Sequence, residues 1–233
     1  MRNVNLFGKG RTMSKSENHS NLLKGCLSIA ICLAMMVMLG CSSGVKRSDK
    51  AVSSAKTLQR ECVNLQGQIG KTIQSLDAVV AAKEADLRGA YKNYVSELKT
   101  LKSQTKKVAS RAQKLKKSSQ GYLDAWEKKM QEVSNPELRG QAARRRAKAS
   151  AKFEDSRDEF DRIQSDYDQF EINLREIKVA LDNDLNPAGV ASVEKVIKRA
   201  KKSSEPLKKD IATIIKALDE ITMALSGPPP VAK

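Results

Sequence analysis

Few residues in this chain have side chains suited to chemistry. Its 233 residues include four cysteines, Cys26, Cys32, Cys41 and Cys62, and one histidine, His19. Cys26 and Cys32 lie in the uncharged apolar run at residues 25–40, and His19 stands just ahead of it. Beyond residue 19 there is no imidazole to activate a serine or cysteine, or to complete a His-based zinc site. Carboxylates crowd together at Asp155, Asp158, Glu159, Asp161, Asp166 and Asp168. Metal-binding helical bundles use inward Glu with Glu-x-x-His, which is absent here, and these acids avoid the apolar positions. They read as a solvated face. Gly8-Lys9-Gly10-Arg11 is too short for a phosphate-cradling loop. The sequence therefore predicts no catalytic residue, no metal and no cofactor.

What remains is charge. Lys and Arg number 43 against 27 Asp and Glu, a formal +16, which invites a nucleic-acid or anionic-membrane reading. The excess is uneven. Residues 114–152 hold eleven basic and four acidic side chains. The densest part is Lys128, Lys129, Arg139, Arg144, Arg145, Arg146 and Lys148, a candidate site for an anionic surface. The plainer alternative is a solvated turn between helices.

Residues 25–40 would make a helix of only about 24 Å, short of a ~30 Å hydrocarbon core. With Lys9, Arg11, Lys15 and Lys24 ahead of it, the run has the form of a secretory signal, with Met1 or Met13 as its start. Its exit, Met38-Leu39-Gly40-Cys41, resembles the bacterial lipobox, in which a small residue precedes a cysteine that is acylated and becomes the mature N-terminus. That resemblance implies cleavage between Gly40 and Cys41, and lipid (palmitate among it) on Cys41. Ser42, rather than Asp, after the cysteine implies the outer membrane, facing the periplasm. Cys62 is then the one free thiol, either a small buried hydrophobe or the source of an interchain disulfide.

From residue 48 onward, apolar residues recur at alternating steps of three and four. Val52, Ala55, Gln59, Cys62, Gln66, Ile69, Ile73, Leu76 and Val80 form a first seam, and Leu87 through Trp126 a second. Ala149 through Leu181 form a third, and Val190 through Leu225 a fourth. A 3.5-residue repeat over several heptads predicts an all-α fold, an elongated antiparallel three- or four-helix bundle or coiled-coil rod. The breaks are a weak reset at 83–87, Ser134-Asn135-Pro136-Glu137 with capping-box spacing, Leu185-Asn186-Pro187, and the stop at Gly227. They give a signal at 1–40, a lipidated linker at 41–47, helices near 48–82, 87–133, 137–185 and 188–226, and a Pro-rich tail at 227–233. Pro206 should kink or restart the last helix.

Folding the second helix on the third about Asn135 brings together residues whose numbers sum to about 270. Asp168 then falls near Lys102, Glu171 near Lys99, Asp182 near Arg88, Arg144 opposite Trp126, and Arg146 near Asp124. The basic cluster occupies the tip of this hairpin. The first helix is shorter than the second, so the tip returns past the start of the first helix toward the lipid.

Trp126-Glu127, Ser134-Asn135 with Leu138-Arg139, and Leu185-Asn186 with Val190 and Ser192-Val193 resemble a family of uncharacterised bacterial lipoproteins, known only as a domain of unknown function. The likeness covers residues 87–225 and implies a helical envelope protein without a stated activity. The expected function is a lipid-anchored, non-enzymatic helical scaffold or interaction protein of the bacterial envelope. The alternative is a binding module whose basic tip engages anionic lipid, cell-wall polymer or nucleic acid. Expected partners are the membrane through the N-terminal lipid, an anionic lipid or cell-wall polymer, and an envelope protein. Nucleic acid is disfavoured because the chain lacks aromatic stacking platforms.

Overall fold

The computed structural model describes residues 44–226, the side chains at 44, 45, 157, 158 and 226 excepted. Four helices follow one another: α1 (Gly44–Ala81), α2 (Glu84–Gln131), α3 (Pro136–Asn183) and α4 (Pro187–Ser226). The fold is all-α, an antiparallel four-helix bundle. The expected signal, linker start and Pro-rich tail lie outside the described residues.

Local chemistry sets the breaks. Asn135 caps α3, its Oδ1 accepting from the backbone N–H groups of Glu137 (2.9 Å) and Leu138 (3.2 Å), with Pro136 in the first turn. The cap is thus Asn135 and not Ser134. Asn186 repeats the device for α4, accepting from Gly189 N–H at 2.8 Å. Gly189 is glycine because the chain doubles back tightly: an added Cβ would lie 2.0 Å from the Asp184 carbonyl oxygen. Pro206 lies within an unbroken α4, so the expected restart does not occur.

Each helix buries the face its heptads mark. Val190, Val193, Ile197, Ala200, Leu207, Ile211, Ile214, Leu218 and Ile221 are all buried along α4. The first seam needs correction. Val80 is 44% exposed, whereas Ala51, Leu58, Leu65 and Val79, off the expected register, are buried. The reason is that Val52, Ile73 and Val80 lie one position beyond the buried line of Ala51, Leu58, Leu65, Thr72 and Val79, so apolar residues mark both sides of it.

Side-chain size then spaces the helices. Where α1 meets its neighbours it offers Ala51, Ala55, Thr72 and Ser75, all buried, and the backbones come close. Between α2 and α3 the buried groups include Tyr91, Tyr94, Tyr167 and Phe170, and of the four adjacent pairs these two backbones approach least. Tyr91 and Tyr94 of α2 span the gap and end on polar groups of α3. The Tyr94 hydroxyl donates to the Leu174 carbonyl at 2.6 Å, and that of Tyr91 to the Lys178 carbonyl at 3.1 Å and to the Asp182 carboxylate at 2.5 Å. Burial pushes all three tyrosine hydroxyls well above the usual phenol range.

Cys62 is 1% exposed, and burial pushes its thiol up to about 12. It is a core hydrophobe with no thiolate at neutral pH. A thiol reagent should label it only after denaturant unfolds the bundle, and labelling in native buffer would contradict this packing.

Tyr94→Phe should cost about 1 kcal/mol in urea unfolding, and Phe170→Ala about 3–5 kcal/mol. The Lys178 ammonium, and then the Tyr91 hydroxyl, hold the Asp182 carboxyl below the ordinary 3.8. A depressed carboxyl adds stability above its unfolded value and loses it as pH falls through the folded one. Lys178→Met and Tyr91→Phe should therefore each flatten the stability–pH curve below about pH 4, read by thermal melts.

Candidate functional site

The helices do not end together. At one end the links are short: residues 82–83 join α1 to α2, and 184–186 join α3 to α4. At the other end, Ser48 Oγ of α1 donates to the Leu225 carbonyl of α4 at 3.0 Å, and Arg47 reaches the Gly121 carbonyl of α2 at 3.5 Å. Ten more residues of α2, 122–131, follow Gly121 before the turn, about 15 Å of helix. Gly44, where α1 begins, lies only three residues before Arg47. Among the described residues, the end of the α2–α3 hairpin therefore overhangs α1 and α4 by on the order of 10 Å.

This overhang has to hold together as two helices. Leu123 is its one fully buried apolar anchor beyond Gly121 on α2, and Tyr122 packs edge-on against Trp126 at 5.5 Å. The Arg145 guanidinium lies 5.7 Å above the Trp126 ring. Arg146 binds Glu127 at 2.7 Å and donates to the Leu123 carbonyl at 3.3 Å. Tyr122 also meets the Ser48 hydroxyl, and burial raises its pKa against the opposing pull of Arg145. That contact links the overhang to the start of α1.

Two expected partners are corrected here. Arg145, not Arg144, covers Trp126, and Arg146 pairs with Glu127, not Asp124, which accepts from Gln120 at 2.7 Å. The expected ladder shifts in the same way: Lys102 pairs with Glu171 at 3.2 Å, Asp168 accepts from Gln164, and Asp182 binds Lys178. The cause is geometric. Helical side chains lean toward their own N-terminus. In an antiparallel pair both leans raise the sum of partner numbers above the backbone level. The backbone level is 267 at the turn (Gln131 and Pro136), whereas the side-chain pairs Lys102–Glu171 and Arg146–Glu127 both sum to 273.

The seven candidate bases thus divide by role. Arg145 and Arg146 brace the hairpin, and Lys129 pairs with Glu132 at 3.0 Å. Lys128, Arg139, Arg144 and Lys148 are exposed and make no ion pair among the described residues. Beside them Leu138 is 53% exposed. A braced hairpin end with four free cations and an exposed leucine suits a broad anionic surface better than a small ligand.

The acidic residues of α3 behave differently from a uniformly solvated face. Glu159 and Asp210 of α4 both contact Arg162, and their side chains are only 14% and 16% exposed. Asp166 is pushed up by burial and by Asp210 beside it. This is an ion cluster fastening α3 to α4. Among the described residues no group of three or more His, Cys, Asp or Glu is arranged to hold a metal ion. No described helix is long and apolar enough to cross a membrane. Gly40 and Cys41 lie outside the described residues.

The family described as protein of unknown function (DUF2959) matches residues 40–225. The chain belongs to this family. The DUF2959 match runs from the expected acylation point through all four helices, overhang included. No curated protein and no solved structure matches the chain.

Arg146→Gln should loosen the overhang while leaving the rest of the bundle intact, since a braced pair of this kind contributes about 1 kcal/mol. Hydrogen exchange across residues 122–131 and 138–148 should quicken about fivefold, with residues 190–221 unchanged. Equal quickening in both regions would remove the distinction between overhang and bundle.

Proposed function

We propose that this DUF2959 chain is a lipid-anchored, non-enzymatic helical scaffold of the bacterial cell envelope, standing at the outer membrane on its acylated Cys41. Its basic hairpin end meets the anionic head groups of the membrane that holds the lipid. The observation that carries this reading is the shared end. Cys41 lies three residues before Gly44, and the overhang with its four free cations projects past that same end of α1. Lys46 and Lys50, in the first turns of α1, add positive charge there.

The energetics suit such a division. The lipid on Cys41 anchors the chain, and a basic patch adds a second contact that orients it against the surface. Each Lys or Arg near an anionic surface contributes about 1 kcal/mol. Lys128, Arg139, Arg144 and Lys148 together would then supply up to about 4 kcal/mol. A cell-wall polymer would use the same cations without needing them level with the lipid, so the position of the overhang favours head groups.

Two measurements test the reading separately. Metabolic labelling with a fatty acid should mark the wild-type chain and leave Cys41→Ser unlabelled; no label on the wild type ends the lipoprotein assignment. Lipid-free protein should bind anionic vesicles in a salt-sensitive manner. Replacing Lys128, Arg139, Arg144 and Lys148 with Gln should weaken that binding at least tenfold, and unchanged binding would remove the tip from the membrane.

A further inference from the structure

The outward face of α2 carries charge that the bundle does not neutralise. Residues 98–123 contain eight basic side chains and no acid. Of these, Lys102 pairs with Glu171, whereas Lys99, Lys106 and Lys117 are exposed and without an ion pair among the described residues. At 100° per residue those three lie within about 20° of one another, on the outer edge of the groove that the Lys102–Glu171 bridge spans.

α3 presents the opposite charge on its own edge of the same groove. Glu154, Asp161 and Asp168 recur every seven residues and drift only about 20° per step, so they form one row. Among the described residues Glu154 and Asp161 are exposed and make no ion pair, and Asp168 is half-buried and accepts from Gln164. Level with the free lysines across the groove, these acids still do not reach them. Two β-branched residues share their ridge: Ile172 is 39% exposed and Val179 55% exposed. Half-buried Val95 lies at the level of Ile172 on α2.

We propose that this α2–α3 face is a docking surface for a second copy of the chain, the two bundles side by side and parallel. Symmetry and charge decide the orientation. A two-fold axis parallel to the helices sets each α2 opposite the partner's α3 at the same level, whereas a two-fold perpendicular to them sets α2 against α2. The first arrangement puts lysine row against acid row; the second opposes like charges. With the levels fixed by the chain's own α2–α3 side-chain register, Asp168 meets Lys102 and Lys106, Glu154 meets Lys117, and Asp161 falls between Lys106 and Lys117. Ile172 meets Val95 and supplies the apolar contact that exposed ion pairs lack. Both copies then start α1 at the same end, as attachment to one membrane requires, though the contact itself does not depend on acylation.

Two differently tagged full-length copies test this by disulfide crosslinking, one carrying Val95→Cys and the other Ile172→Cys. The mixed pair should crosslink on a non-reducing gel, and neither variant with itself. Reversing Lys99, Lys106 and Lys117 to Glu in both copies should lower the crosslinked fraction at least tenfold. Reversing Glu154, Asp161 and Asp168 to Lys should do the same, and combining the two sets should restore it. Circular dichroism of each variant checks that the bundle is kept; of the changed side chains, Val95 alone packs against the core. No mixed crosslink, crosslinking of Val95→Cys to itself, or a crosslink indifferent to both reversals would overturn the proposal. Loss of fatty-acid labelling in Cys41→Ser leaves these outcomes unaffected.

Discussion

An α-helix rises about 1.5 Å per residue whatever its sequence, so helices of 38, 48, 48 and 40 residues cannot end flush at both ends of a bundle. The two links at one end have two and three residues, which leaves no slack there to absorb the difference. The surplus of α2 and α3 therefore collects at the opposite end. The overhang is a consequence of helix length and link length before any side chain is considered. Side chains decide only whether it is tolerable. Beyond Gly121 the hairpin has lost two of its packing partners, and it replaces them with Leu123, the Tyr122–Trp126 pair and the Arg145 and Arg146 contacts. A two-helix stretch with so small an apolar seam is the first part of such a bundle to open locally.

The rest of the bundle is set by how far apart the backbones stand. Alanine, serine and threonine along α1 permit close approach, and the four aromatics between α2 and α3 prevent it. Buried tyrosines suit that wider gap, because a phenol crosses it and still has a hydroxyl to pair at the far side. Tyr94 and Tyr91 do so against α3 backbone carbonyls, one turn apart. The wider spacing also explains why so few charges bridge the groove, Lys102–Glu171 and the braced pair at the tip excepted.

Much of this was legible in the residues, and the misses are instructive. The α4 seam was readable because its buried positions are nearly all apolar. The first seam was misplaced by one position because Val52, Ile73 and Val80 stand beside Ala51, Thr72 and Val79, so apolar residues mark both sides of the buried line. Asn135 and Asn186 were readable as caps from their prolines, and the basic tip from its composition. The charge partners were not, because a sum rule taken from the turn locates backbones while ion pairs form between side chains that lean along the axis. That lean moved Arg146 from Asp124 to Glu127, one turn away. Charge totals do not settle contact either: the eleven acids of residues 153–185 nearly balance the bases of α2 in number, but few of them pair across a groove held open by aromatics.

The overall +16 therefore separates into parts with different consequences. Residues 1–40 hold +4 of it. Residues 41–81 and 187–226 add +3 each and Lys233 one more; what is left is an axial excess at the overhang and a transverse separation, with lysines on α2 and acids on α3. An axial end charge acts on a surface met end-on, and it falls off within a Debye length of ~10 Å at 0.1 M salt, comparable to the projection of the overhang itself. The transverse separation cancels in the net charge and exerts little force at a distance, yet it fixes which edge of a neighbouring rod can lie alongside. Salt weakens both, but only the lateral contact includes Ile172 and Val179, whose burial salt does not screen. Added salt should therefore detach the end before it separates the sides, an order that follows from where the charges sit and not from how many there are.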